Sequence, residues 1–388
     1  MTEAVSVLST ATDGATAGRE LGERIVSQLH GPPDAVIVFA SARYEYEPLL
    51  NALASSCHPR ALVGCSSAGE FTGNSHGEGG ASAVALRAAD MRFTVTLGCN
   101  LKADRGSAAR QLIDGFAGLA HDEFRYRYAL VLADALAGYT DDLVARLTSL
   151  SGGTYRFFGG GAGDDARFSR THVFFGTQAF TDAAVALEIL SNKPFGIGVR
   201  HGWQPASRPL RVTEADGAHL VSLNAVAAAD VVEEHAAATG QRFDRTSSLP
   251  FFLQNVLGIE TRTGHKLRVP LGANSDGSID LASDVPEGAT VRMMTTTTAS
   301  ASQAAANATR DAVAQLGDLK PITALFFDCV ATRLRTGPGF GDELAAVQEA
   351  LGLDVTFAGC NTYGQIARAE GQFSGFHNCT AVVCVIPE

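Results

Sequence analysis

Two short stretches of the chain nearly repeat each other. Residues 64–71 read Gly-Cys-Ser-Ser-Ala-Gly-Glu-Phe, and residues 359–366 read Gly-Cys-Asn-Thr-Tyr-Gly-Gln-Ile. The first Gly, the Cys and the second Gly recur in register, and Glu or Gln follows the second Gly. A looser third copy, Gly-Gly-Gly-Ala-Gly-Asp, stands at residues 159–164, and we expect Gly160 to be the counterpart of Gly64 and Gly359. Repetition of this kind predicts a fold built from copies of one unit.

The flanks of the three stretches repeat as well. An apolar strand, a helix with one apolar face and a second short strand precede each stretch, and a further strand follows it. Another strand and helix stand upstream of each copy; for the third copy this upstream strand is predicted at 291–296. The pattern predicts three β-α-β-α-β-loop-β units, at about 1–88, 89–192 and 288–388.

One segment, residues 193–287, falls outside the repeat. It is rich in turn residues and short strands, and it carries one predicted helix near 225–238. We therefore predict an α/β fold with three βαβαβ-loop-β units in two domains. The N-terminal domain spans 1–192 and holds two units, and the C-terminal domain spans 193–388 and begins with the inserted β-rich segment.

Composition and charge exclude several classes of protein. The chain has 388 residues, a net charge of −11 and only four Lys, so it lacks the clustered cations that bind nucleic acid or an anionic membrane. The seven Cys are scattered without a CxxC pair, which disfavours a disulfide framework or a zinc knuckle. The start, MTEAVSVLST, has no basic leader segment, and no apolar run reaches membrane-spanning length. We expect a cytoplasmic protein.

The three Gly-rich stretches are predicted to be ligand-binding loops. Ligands of α/β sheets bind beyond the carboxyl ends of strands, and Gly allows the backbone to approach a ligand closely. The residues predicted to bind ligand are Gly64, Cys65, Ser66, Ser67, Gly69, Glu70, Gly160, Gly161, Asp164, Gly359, Cys360, Asn361, Tyr363, Gly364, Gln365 and Asn378.

Two kinds of chemistry compete with simple ligand binding. Cys65 or Cys360 could act as a nucleophile with His377 as base, but a reactive thiol needs a depressed pKa, and buried free Cys residues are mostly inert. The stretch 161–166 fits a G-x-G-x-x-A phosphate loop, yet Asp164 and Asp165 would repel a phosphate. We predict that the protein is not an enzyme, with a Cys-dependent enzyme as the alternative.

These stretches resemble the FIST family, sensory proteins of bacterial signal transduction. The N-terminal half is similar to the family's first domain at 63–70 and 158–164, and the C-terminal half is similar to its second domain at 359–366 and 376–380. Residues 197–203 are a further match. The family pattern favours Glu where this chain has Gln365. If that carboxylate binds an amine in the family, this copy has lost the charge.

The resemblance implies a stand-alone sensor that signals to a separate partner such as a histidine kinase. It also implies haem, and hence nitric oxide, as the sensed ligand, with amino acids or another small metabolite as the alternative. The candidate axial ligands of haem are His377, His201 and His235. A homo-oligomer is compatible with this class.

Overall fold

The first repeat unit alternates strands and helices as predicted. The computed structural model describes residues 2–73, 75–120, 123–368 and 374–388. The elements of the first unit are β1 (Thr2–Ser9), α1 (Gly14–Gln28), β2 (Ala35–Ser41), α2 (Tyr46–Cys57), β3 (Ala61–Ser67), β4 (Glu70–Thr72), β5 (Ser75–Gly77) and β6 (Ala81–Ala88). Every residue of β2 is buried, as expected of an apolar strand in a sheet that is covered on both faces.

The second unit follows the same order. Its elements are β7 (Met91–Cys99), α3 (Arg105–Asp114), β8 (Tyr126–Ala133), α4 (Thr140–Leu150), β9 (Arg156–Gly161), β10 (Val173–Phe175), β11 (Gln178–Phe180) and β12 (Ala183–Ser191). In both units a strand, a helix, a strand, a helix and a strand lead into a small hairpin, and a last strand returns to the sheet.

The third unit is interrupted after its first strand, β13 (Gly196–Arg200). The insertion contains β14 (Gln204–Pro205), β15 (Leu210–Asp216), β16 (His219–Leu223), β17 (Val226–Ala227), α5 (Ala228–Ala238), α6 (Leu249–Phe252), β18 (Asn255–Thr261), β19 (Gly264–Arg268), β20 (Pro270–Ala273), β21 (Ile279–Leu281) and β22 (Thr290–Thr295). The unit resumes with α7 (Thr298–Ala314), β23 (Pro321–Cys329), α8 (Val330–Thr336), α9 (Phe340–Leu351), β24 (Thr356–Thr362), β25 (Gln365–Arg368), β26 (Ser374–His377) and β27 (Ala381–Pro387).

The start of the third unit corrects the sequence prediction. The strand expected at 291–296 exists as β22, but it belongs to the nine-stranded sheet of the insertion. The place at the edge of the third unit's sheet is taken by β13, which pairs with β27 as β1 pairs with β6. The insertion therefore runs from 201 to 297. The predicted division into domains at residue 192 stays a prediction.

Small hairpins are exchanged in a circle among the three units. The sheet orders are β1-β6-β2-β3-β10-β11, β7-β12-β8-β9-β25-β26 and β13-β27-β23-β24-β4-β5. The hairpin of each unit thus extends the sheet of another unit. The first unit's β4 and β5 extend the third sheet, the third unit's β25 and β26 extend the second, and the second unit's β10 and β11 extend the first. The arrangement has the pattern of an internal threefold repeat and joins all three units.

The three six-stranded sheets share one central core. A single apolar cluster contains side chains from all three, among them Ile37, Leu130 and Leu325. Separate clusters lie between each sheet and its own helices, and a fourth fills the insertion. The sheets therefore enclose an apolar interior, with the helices outside. Among the described residues, no helix is both long and apolar enough to cross a membrane.

The insertion is tied to the second unit by a half-buried ion-pair network. Lys266 and Arg268, on β19, both contact the Asp141 carboxylate, at 2.7 and 3.1 Å. Burial raises the pKa of Asp141, but these two cations outweigh that effect and hold the pKa below its usual value. The same carboxylate accepts a hydrogen bond from the Phe376 backbone N–H, so it links α4, β19 and β26.

The predicted loops are largely strands. Residues 64–67 lie in β3, residues 159–161 in β9 and residues 359–362 in β24, so only short turns remain after them. In register, Gly64 pairs with Val38, Gly159 with Val131 and Gly359 with Phe326. The structural counterpart of Gly64 and Gly359 is thus Gly159, and the predicted match with Gly160 is wrong by one residue.

The repeated Gly is required by close approach of neighbouring backbone. A Cβ on Gly359 would stand 1.8 Å from the Phe326 carbonyl oxygen, and a Cβ on Gly64 would stand 2.0 Å from that of Val38. We expect Gly359→Ala to lower the free energy of unfolding by about 1–3 kcal/mol, because the clashing atom is backbone. Gly272→Ala, which meets open space, is the control. Equal urea midpoints for the two variants would contradict this explanation.

Candidate functional site

The turns that follow the three Gly strands meet and bond to one another. The Ala68 N–H donates to the Asn361 carbonyl and the Asn361 N–H to the Gly69 carbonyl, at 2.9 and 2.8 Å. Equivalent backbone bonds join Tyr363 to Gly161, and Gly163 to Ser66. The predicted site residues are therefore brought together at one end of the sheets. Many of their backbone N–H and carbonyl groups, however, already hydrogen-bond to one another.

Glu70 occupies a fully buried position at the start of β4. Its carboxylate accepts hydrogen bonds from the Ser67 hydroxyl and from the Gly80 N–H, the latter at 3.0 Å. Burial raises the pKa of Glu70 to about 8, partly offset by these bonds. A carboxylate offers about four acceptor positions, so two remain for another donor.

Gln365 repeats this arrangement with a neutral side chain. Its Nε2 donates to the Thr362 hydroxyl at 2.9 Å, and its Oε1 accepts from the Thr380 N–H at 3.3 Å. Thr362 and Thr380 are the counterparts of Ser67 and Gly80. In both units the Glu or Gln side chain therefore bridges a hydroxyl group of the preceding turn and a backbone N–H before the last strand. The predicted ligand role of Gln365 is not favoured, since its amide is satisfied within the fold.

A cavity of about 550 Å³ lies beside Glu70, between the first unit's hairpin and helix α8. Its lining includes Glu70, Asn361 and Arg333. The volume is in the usual range of small-molecule sites, about 300–1,000 Å³. We call it the Glu70 cavity. It exists because β4 pairs with β24, and β5 with β4, in the hairpin exchange that joins the two halves of the chain.

Two side chains of this cavity have unused hydrogen-bonding atoms. Both Nδ2 and Oδ1 of Asn361 are buried without a partner among the described residues, and so is Nε of Arg333. Unsatisfied buried polar atoms are costly and rare in folded proteins. Asn361 was predicted from sequence, whereas Arg333 was missed. These atoms give the cavity free donors and a free acceptor.

Arg333 is held at the rim by an exposed carboxylate. One of its guanidinium nitrogens pairs with Glu78, whose side chain is 67% exposed, while that of Arg333 is 10% exposed. Burial lowers the pKa of Arg333, although the nearby Glu70 charge opposes this. The cavity therefore holds a buried cation, a buried carboxyl group and an amide within one small space.

Other predicted ligand residues have structural roles. The Asp164 carboxylate accepts from the backbone N–H groups of Phe168, Ser169 and Arg170 and from the Tyr363 hydroxyl, so it organises the loop after β9. The Ser66 hydroxyl accepts from the His172 N–H at 2.9 Å. Gly160 and Gly161 are buried in β9 beside the turn of the third unit.

The Cys65 and Cys360 thiols contact each other inside the central core. Both residues have no exposed surface, and burial raises the pKa of Cys360 well above its usual value. Neither lines the Glu70 cavity. A nucleophile needs a stabilised thiolate and access for substrate, so this environment does not favour the Cys-dependent enzyme.

A second, smaller cavity adjoins the third unit's turn. It measures about 80 Å³ and is lined by Tyr363, Gly364 and Asn378 together with Cys329 and mostly apolar side chains. We call it the Cys329 cavity. Among the predicted ligand residues, these three lie here rather than at the Glu70 cavity.

None of the three candidate axial histidines lines either of these two cavities. The His201 ring accepts from the Trp203 N–H and has Nε2 2.9 Å from the His265 carbonyl. His377 is buried on β26 with Nε2 3.4 Å from the Ala367 carbonyl, and burial lowers its pKa to about 3. His235 is half-buried on α5. The imidazoles of His201 and His377 are thus engaged in the fold, which does not favour haem at either one, whereas Nε2 of His235 is buried without a partner among the described residues.

Family comparison covers most of the chain. The FIST N domain matches residues 34–226, and the FIST C domain matches residues 228–368. The chain belongs to the FIST family. FIST domains are sensory domains of signal transduction, so the protein is a FIST sensor. The two matches meet in the Glu70 cavity, because Glu70 lies in FIST N while Arg333 and Asn361 lie in FIST C.

Individual relatives add little about the ligand. Two uncharacterized proteins of Mycobacterium tuberculosis, from strains CDC 1551 / Oshkosh and ATCC 25618 / H37Rv, are each 26% identical to this FIST protein. The match covers 96% of this chain and 97% of each relative. Thermotoga maritima PurL complexed with AMPPCP shares 12% identity at a TM-score of 0.23, over 99% of this chain and 72% of that one. So low a score supports no conclusion.

Proposed function

We propose that this FIST protein senses a small zwitterionic metabolite, with an α-amino acid as the simplest example, bound in the Glu70 cavity. The observation that carries the proposal is the convergence of a buried carboxyl group, a buried guanidinium and an amide whose two polar atoms have no partner among the described residues. Both of its FIST domains contribute to this cavity.

The three groups complement the two ends of an amino acid. Glu70 has remaining acceptor positions for an ammonium group, and Arg333 has a free Nε donor for a carboxylate. The Asn361 amide offers one donor and one acceptor between them. Buried polar groups of this kind reject ligands that lack the matching partner, because the groups are then left unpaired.

Glu78 supports the carboxylate assignment. Its carboxylate already pairs with Arg333 from the exposed side, so this rim accepts an anionic oxygen. A ligand carboxylate that displaces Glu78 would keep Arg333 paired. It would also release the hairpin residues around Glu78, which gives ligand binding a structural consequence at the surface.

The proposal is tested by thermal shift with matched sets of compounds. Common α-amino acids are compared with their carboxamides, which lack the carboxylate, and with their N-acetyl derivatives, which lack the ammonium. A ligand present at 100 times its Kd stabilises the native state by about 2.7 kcal/mol. We expect stabilisation only by a compound with both groups, and none in Asn361→Ala. Stabilisation that persists in Asn361→Ala, or that the derivatives share, would overturn the proposal.

Ligand affinity is expected to rise with pH up to about 8. Below its raised pKa of about 8, Glu70 is protonated and must release a proton to hold an ammonium group. The affinity should therefore increase by up to about tenfold per pH unit between pH 6 and 8, and then level off. Calorimetric titration across this range measures it. Glu70→Gln should bind weakly with no such slope, and an unchanged slope in that variant would exclude Glu70 as the titrating group.

Haem, nitric oxide and a histidine kinase partner remain predictions from the family resemblance. The contacts of His201 and His377 within the fold do not favour haem at these two residues. A visible spectrum of protein incubated with haem decides the matter: a Soret band that His377→Ala or His201→Ala removes would favour haem over the amino acid.

A further inference from the structure

Two cysteine thiols lie in hydrogen-bonding contact beside helix α8. Cys329 is the last residue of β23, and Cys379 lies two residues before β27. Both are buried, at 4% and 5% exposure, and neither forms a disulfide. The Cys379 thiol donates to the Cys329 sulfur. The two thiols are therefore direct neighbours, and both belong to one buried apolar cluster that also holds Met294.

The two thiols are chemically unequal. Hydrogen bonds from Cys379, from the Ala331 N–H and from the Gln365 side chain lower the pKa of Cys329 to about 7, despite its burial. The contact with Cys329 and burial together raise the pKa of Cys379 well above its usual value. A thiolate next to a protonated thiol is the arrangement of an attacking and a resolving cysteine.

The Cys329 cavity gives a small molecule access to this residue. It holds about 80 Å³, more than the roughly 10–15 Å³ that a water-sized molecule requires. Asn378 also lines it, and its Oδ1 atom is buried without a partner among the described residues. This oxygen can accept a hydrogen bond from an O–H group. The space suits a molecule such as hydrogen peroxide and is too small for a peptide thiol or disulfide.

We propose that Cys329 and Cys379 form a redox site that reacts with hydrogen peroxide. The Cys329 thiolate attacks one peroxide oxygen; an S–O bond forms, the O–O bond breaks, and the departing hydroxide takes a proton to become water. Cys379 then attacks the oxidised sulfur; an S–S bond forms, the S–O bond breaks, and the second hydroxide leaves as water with the Cys379 proton. Two thiols and one peroxide give one disulfide and two waters.

A second thiol pair in the same chain provides an internal control. Cys65 and Cys360 also touch, but both have no exposed surface, and neither lines either cavity described above. Burial raises the pKa of Cys360 well above its usual value, so this pair lacks the stabilised thiolate. The proposal predicts that it stays reduced under conditions that oxidise Cys329.

The test treats the reduced full-length chain with hydrogen peroxide or with glutathione disulfide and maps the products by mass spectrometry. A Cys99→Ser background removes the half-buried thiol. Peroxide should give the Cys329–Cys379 disulfide, and glutathione disulfide should not modify Cys329. Cys379→Ser, or Cys379→Ala if the first variant does not fold, should stop at a Cys329 sulfenic acid, which dimedone added together with denaturant traps. Unoxidised Cys329, or a Cys65–Cys360 disulfide formed first, would overturn the proposal.

Discussion

Arg333→Met is expected to weaken binding of the stabilising amino acid by about 100-fold, because removal of a buried charge partner typically costs 2–5 kcal/mol. Met keeps the aliphatic part of the side chain that packs beside Gly69, and it removes the guanidinium that faces the ligand carboxylate. Calorimetric titration at pH 8, where Glu70 is at its pKa, measures the loss.

The control for this variant is Arg310→Met, which removes a guanidinium on the exposed side of α7. It should bind the amino acid as the unchanged protein does. A comparison of urea midpoints shows whether Arg333→Met keeps the fold. If that variant is folded and binds with unchanged affinity, Arg333 does not contact the ligand.

The largest loss of stability is expected at Glu188, a carboxylate with no exposed surface in β12. It accepts hydrogen bonds from the N–H groups of Ala117 and Gly118, both at 2.9 Å, and from the Tyr155 hydroxyl. Glu188→Ala removes the acceptor of all three donors, and those of Gly118 and Tyr155 belong to buried residues. We expect the free energy of unfolding to fall by roughly 3–5 kcal/mol, because each abandoned donor costs about 1–3 kcal/mol.

Tyr155→Phe separates the contribution of one donor from the whole. It removes the hydroxyl but leaves both backbone bonds to Glu188, so the loss should be about 0.5–1.5 kcal/mol. Urea denaturation of the two variants gives both values. A loss in Glu188→Ala no greater than that in Tyr155→Phe would show that the two backbone N–H groups find other partners.

The repeat could be predicted from sequence because its signals are local. Strands such as β2, β8 and β23 are continuous apolar runs, and the helices carry one apolar face each, so their order was visible. The Gly stretches were predicted as loops, since Gly, Ser and Asn favour turns. In the fold they are strands. Gly is needed in them because a Cβ would clash with the carbonyl oxygen of the neighbouring strand.

The site was predicted only in part. Gly69, Glu70 and Asn361 could be found from the repeated motif. The three consecutive glycines at 159–161, however, do not show from sequence which of them corresponds to Gly64 and Gly359. Arg333 lies on α8, outside any repeated motif, and reaches the cavity only through the exchanged hairpin, a long-range pairing that sequence periodicity does not report.

The most direct test of the zwitterion site compares the Kd of the stabilising amino acid with that of its carboxamide, in the unchanged protein and in Arg333→Met. The unchanged protein should favour the amino acid by about 100-fold, because Arg333 pairs with its carboxylate. Arg333→Met should bind the two compounds with affinities within a few-fold of each other. The same ratio in both proteins would contradict an Arg333–carboxylate contact and with it the proposed ligand.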